Sequence, residues 1–165
     1  MRPKLTLHFA VLTATIAFAG CKSTSLIESF IAPTGMMYFV KSVAFNGEKG
    51  MVEFDFTYHE NDTMLVTCNF TIESKLPDIY ALQGAFFQVE GKTIECDSLK
   101  LMYATRSENM ARYTSTLTKE HFRDLFAHNL AQFVVQGKSS QMMFDGGKSF
   151  EKNANAVRLD VLNLP

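Results

Sequence analysis

The side chains most capable of chemistry in this chain are His121, Asp124 and His128. On a helix turning about 100° per residue they fall within about 60° of one another. Two imidazoles and a carboxylate so placed can hold Zn2+ or a similar ion. The same face, however, lies about 140° from the apolar stripe of that helix, where solvent is expected. The spacing matches no established metal motif, and HExxH is absent. The trio therefore reads as the wet side of a helix, and no metal is expected. Gly146-Gly147-Lys148-Ser149 ends like a phosphate-binding loop. Such a loop needs a glycine five places before Gly147, where Met142 stands, and a parallel βαβ context that the surroundings lack. A turn into a helix capped by Ser149 explains it. The carboxylates Glu53 and Asp55 could flank a glycosidic bond, yet they alternate with apolar residues and read as the outer face of a strand. There is no G-x-S-x-G, and His59 belongs to a turn. No catalytic residue, metal ligand or cofactor-binding residue is assigned.

Cysteine is scarce, with three in 165 residues. Cys68 and Cys96 fall on expected strands. A disulfide between them would close a loop of about 29 residues and contribute about 3–4 kcal/mol in the chain-entropy model. Two buried thiols are the alternative, and the sequence leaves both open. Neither thiol has an identifiable base beside it, as nucleophilic catalysis would require.

Cys21 stands in a different setting. A basic start (Arg2, Lys4) precedes an apolar run from Leu5 to Phe18, which ends in Ala19-Gly20-Cys21. The run is about 14 residues, short of the roughly 20 that a membrane-spanning helix needs. A positive n-region, a short apolar core and a small-residue exit mark a removed export signal. The order resembles a bacterial lipoprotein precursor, in which the cysteine is acylated and becomes the first residue of the mature chain. Ala19, Gly20 and Cys21 match that pattern, whereas Phe18 stands where Leu is usual. Ala17-Phe18-Ala19 supplies a rival A-x-A site, with cleavage after Ala19 and an unlipidated secreted product. The resemblance implies a partner, membrane lipid, reached through acylated Cys21; two or three acyl chains make a stable anchor where one does not. Lys22 follows, rather than the Asp that would resemble an inner-membrane retention signal, so the expected address is the outer membrane facing the periplasm. The alternating strands below are similar to those of many Bacteroidetes lipoproteins.

The chain carries 16 Lys and Arg against 17 Asp and Glu; with Arg2 and Lys4 removed in the leader, the remainder has a net charge of −3. That excludes the clustered positive excess of a nucleic-acid face. Fifteen Phe, five Tyr and nine Met supply bulk for a core, and Trp is absent. Asn61-Asp62-Thr63 and Asn69-Phe70-Thr71 are glycosylation sequons, relevant in a eukaryotic source.

The expected organisation is a signal peptide at 1–20, a lipid anchor, tether and short helix at 21–35, and a single β-rich domain at 36–165. Ser25-Leu26-Ile27-Glu28 resembles a capping box opening that short helix, which Pro33 stops. From residue 36 the rhythm changes to period two: Val52, Phe54, Phe56 and Tyr58 alternate with polar residues, as do Val66, Cys68, Phe70 and Ile72. Strands are expected at about 37–45, 51–58, 64–73, 84–90, 93–103, 111–117, 132–136 and 141–144. Helices are expected at about 119–130, capped by Thr118 with a stripe through Phe122, Leu125, Phe126, Leu130 and Phe133, and from about 150. The fold class is α+β, mainly β: an antiparallel sheet or β-sandwich with two or three short helices. The expected function is a non-catalytic binding or structural domain in the envelope, its partner an envelope protein or small ligand. The alternative is an envelope hydrolase whose site is assembled from scattered residues.

Overall fold

The computed structural model describes residues 25–33, 35–61 and 65–163. The signal segment, Cys21, the tether to Thr24, Met64 and Leu164 lie outside the described residues. The strands are β1 (Ile27–Ala32), β2 (Gly35–Gly47), β3 (Gly50–His59), β4 (Leu65–Ser74), β5 (Gly84–Val89), β6 (Lys92–Glu95), β7 (Asp97–Thr105), β8 (Met110–Thr118), β9 (Gln132–Gln136) and β10 (Gln141–Asp145). Helix α1 (Lys119–Ala127) joins β8 to β9, and α2 (Gly147–Asp160) follows β10.

All pairings are antiparallel, in the order β6-β5-β9-β10-β2-β3-β4-β8-β7, with β1 added to the free edge of β2. Because β6 runs into β7 through Cys96, the two ends of this order are one bent strand. Its first part pairs with β5 and its second with β8, which curls the sheet into a nearly closed barrel. The seam between β10 and β2 is the thinnest, a single bridge from Asp145 to Asn46. Closure of this kind hides the backbone groups that an open edge would expose.

The period-two residues all face inward, and the core they make is aromatic. Phe54 lies 4.7 Å from Phe133, 5.1 Å from both Phe45 and Phe87, and 5.8 Å from Phe70, measured between ring centroids. Both helices dock on this cluster: Phe56 meets Phe122 and Phe126 of α1 at 5.4 Å, and Phe45 meets Phe150 of α2 at 5.2 Å. Helix α1 forms where expected, and Thr118 Oγ1 accepts the His121 N–H at 3.0 Å. A 3₁₀ turn at Pro77–Tyr80 buries Ile79 under the sheet. There the Tyr113 hydroxyl donates to the Ile79 carbonyl at 2.8 Å and accepts the Leu82 N–H at 3.2 Å.

Four local expectations are corrected. The short helix within 21–35 is strand β1, paired over its whole length with β2 from Ile27↔Val40 to Ala32↔Gly35. Ser25 donates its hydroxyl to the Ile27 carbonyl rather than capping a helix, and Glu28 ion-pairs across the ladder with Lys41. A few helical turns cannot match a ladder that satisfies six residues at once. The strand expected at 93–103 breaks at Cys96, where the chain changes partner from β5 to β8 and Ser98 takes a positive φ of 53°. Helix α1 stops at Ala127, so Leu130 lies 71 % exposed and Phe133 faces the core from β9 instead. Helix α2 starts at Gly147, and Ser149 is an exposed residue of its first turn rather than a cap.

Candidate functional site

Among the described residues, two surface clefts gather chemistry-capable side chains. The first, about 480 Å3, opens between the β5–β6 turn, the start of β9 and the start of α2. Glu90 and Gly91 hold φ of 44° and 80°, as a two-residue hairpin turn matching strand twist requires. That turn carries Glu90 and Lys92 toward α1. Lys92 Nζ lies 3.2 Å from Asp124 Oδ2, and His128 Nδ1 lies 3.1 Å from Glu90 Oε1, an ion pair when the imidazole is protonated. On the far wall Gln132 donates to Asp145 at 2.8 Å. An adjoining hollow of about 320 Å3 shares Glu90 and Leu130 and is walled by Arg158, whose guanidinium donates to the Ala127 carbonyl and to Asn129 Oδ1, both at 2.8 Å. With Glu90 and Lys92 side chains 69 % and 64 % exposed, both contacts are solvated, and the Lys92–Asp124 pair contributes about 0.2–1 kcal/mol.

His121, Asp124 and His128 are thereby sent to different surroundings. The helix ends before His128, whose extended backbone (φ −110°, ψ 157°) takes it off the helical face. Asp124 and His128 turn to Lys92 and Glu90, while His121 Nδ1 is buried without a hydrogen-bond partner. Among the described residues no three His, Cys, Asp or Glu side chains gather as metal ligands would.

The second cleft, about 630 Å3, lies at the β2–β3 turn, between Gly50, Met51 and Leu76, with Glu48, Glu73 and Lys75 around it. Ser74 holds its wall, donating to the Lys49 carbonyl at 2.6 Å and accepting the Leu76 N–H at 3.2 Å.

Elsewhere the polar residues serve the fold. Asp55 ion-pairs with Arg112, which also donates to Thr71 Oγ1 at 2.8 Å, and Asn69 donates to Asp55 Oδ1 at 2.9 Å. This network bridges β3, β4 and β8 on the outer face. The link to Arg112, 57 residues away, has no local sequence signal; only the register that sets Thr71 opposite Arg112 reveals it. Glu53 stays exposed. Gly146 is buried, and a Cβ there would sit 2.5 Å from Phe150 Cβ and 3.1 Å from Phe45 Cζ, so the Gly-Gly pair is a packing turn. Cys68 and Cys96 are buried free thiols on either side of β8, with Ser115 donating to the Cys68 carbonyl at 3.0 Å. Burial pushes the Cys68 thiol well above its ordinary range, and hydrogen bonding to Cys96 adds to the rise. An acid that weak is a poor nucleophile at neutral pH.

Cys21 lies outside the described residues, which begin four positions later, at Ser25. No protein-family model, no curated protein and no solved structure matches this chain.

Proposed function

We propose that the chain is the precursor of an envelope lipoprotein, cut before Cys21, acylated there and held at the outer membrane facing the periplasm. Its β-rich domain serves binding or structure rather than catalysis. The observation that carries this reading is the order of residues from Arg2 to Cys21: a positive start, a short apolar run and a small-residue exit onto a cysteine. Two structural features support it. The first described strand begins at Ile27, six positions after Cys21, so the folded domain starts close to the proposed anchor in the sequence. The inward faces of the barrel are occupied by phenylalanine rings, so a partner meets the outer surface, where the first cleft and its adjoining hollow carry solvated polar pairs.

The test is the intact mass of the protein expressed in a bacterial host. A mature N-terminus at Cys21 with the mass of two or three acyl chains is expected, with loss of membrane association in Cys21→Ala. A product beginning at Gly20 without lipid overturns the anchor and makes the chain a secreted protein.

A further inference from the structure

We infer that the end of the β1–β2 hairpin is a second membrane contact, seated in the bilayer that receives the acyl chains of Cys21; this rests on the anchored reading above. The hairpin runs from the Ile27↔Val40 pair to the Ala32↔Gly35 pair. Between Ser29 and Val40 the sequence contains no charged residue. The two charges that bound this segment, Glu28 and Lys41, ion-pair with each other across the ladder at its base. Beyond that pair the exposed strand positions of the hairpin are Ser29, Phe30 and Ile31, all on β1, while the other edge of β2 runs beside His59 and Glu60 at the end of β3. Phe30 stands opposite Met37 on one face, and Ile31 opposite Met36 on the other. Ile31 is 90 % exposed and Phe30 48 % exposed, so the fold leaves Ile31 almost bare and covers about half of Phe30. Tyr38 lies nearer the base, where a ring with a polar tip suits the boundary between lipid and water.

The length of chain preceding the hairpin selects lipid as the occupant. Leu26 is five residues after Cys21, a span that reaches at most about 17 Å. Strand β1 covers a similar distance, about 17–20 Å, from its base to its end. These two lengths let an acylated Cys21 reach the level of Ile31 when the preceding residues run back alongside β1, and a single membrane plane can then pass through both with the hairpin inclined to it. The apolar outer edge of β1, brought that close to a bilayer, loses water-facing area by entering it, while His59 and Glu60 stay on the far side of β2.

The chain has no tryptophan, so Ile31→Trp introduces a sole reporter at a position exposed enough to tolerate it. Met102→Trp, on the 54 % exposed Met102 of β7, is the control. Each full-length precursor is expressed and processed in a bacterial host, its intact mass is measured, and it is reconstituted into phosphatidylcholine vesicles with or without brominated acyl chains. The expected result is acylated protein in which Ile31→Trp emission is blue-shifted and quenched by brominated lipid, while Met102→Trp emission is neither. Acylated protein in which both variants are quenched equally weakly overturns the hairpin contact and leaves the anchor standing. A blue shift without quenching puts the hairpin against protein, a second copy included, and also overturns it. A mass without lipid overturns the anchored reading, and the membrane contact falls with it.

Discussion

Replacing Phe54 with alanine probes the feature on which the barrel depends. Phe54 is 1 % exposed, and five phenylalanine rings lie within 5.9 Å of its own. Truncating a core Phe to Ala costs about 3–5 kcal/mol, the lost transfer term plus the cavity left behind. Aromatic pairs add about 0.5–1.5 kcal/mol each beyond area, and the surrounding rings come from β2, β3, β4, β5 and β9, which cannot all move inward together. The upper end, about 4–5 kcal/mol, is therefore expected, against a total of about 5–15 kcal/mol for a domain. In urea, with a slope near 2 kcal/mol/M, the midpoint of unfolding should fall by about 2 M with the slope unchanged. Ile31→Ala, at the exposed hairpin end, should change stability by less than about 0.5 kcal/mol. A loss below about 1 kcal/mol for Phe54→Ala would mean that these rings do not share one closed core, and the barrel as described would be wrong.

Removing Arg112 or Asp55 should each destabilise by about 1–3 kcal/mol, because each leaves a partly buried partner unpaired; a double-mutant cycle of Arg112→Met with Asp55→Asn should show coupling above about 0.5 kcal/mol, and additivity would refute the network. Gly146→Ala should cost about 1–3 kcal/mol by thermal unfolding, since the added methyl overlaps Phe150; a neutral result would show that α2 can shift away. Burial raises the Cys68 and Tyr113 pKa values from about 9 and 10 respectively, so above pH about 9 the unfolded chain releases these protons first. Stability should hold below that pH and fall as pH climbs beyond it, with the Tyr113 part of the fall absent in Tyr113→Phe. Cys68 and Cys96 should resist thiol reagents in the folded mature protein and titrate as two thiols in denaturant; a count of zero would establish a disulfide.

The antiparallel, mainly β character of the domain was legible in the residue order because the inward face of each strand is a local alternation, as in Val52, Phe54, Phe56 and Tyr58. Helix α1 was legible for a similar reason: its cap and apolar stripe lie within nine residues. Boundaries set by distant partners were not. Strand β1 looks helical until β2 offers it a ladder, and Cys96 looks mid-strand until β5 and β8 compete for the same chain. The candidate ligands on α1 illustrate the same limit, since helical spacing alone could not show that Lys92 and Glu90 would engage two of them.

By itself the sequence determined the period-two core, the uncharged stretch from Ser29 to Val40 and the leader pattern ending in Cys21, all set by residues adjacent along the chain. Only the tertiary structure decided that the strands curl into one nearly closed barrel, that Asp55 pairs with Arg112, and that Ile31 is left almost bare and Phe30 half-exposed. Closure, long-range pairing and exposure depend on which strands become neighbours, and that depends on the register and bend of the whole sheet rather than on any local run of residues.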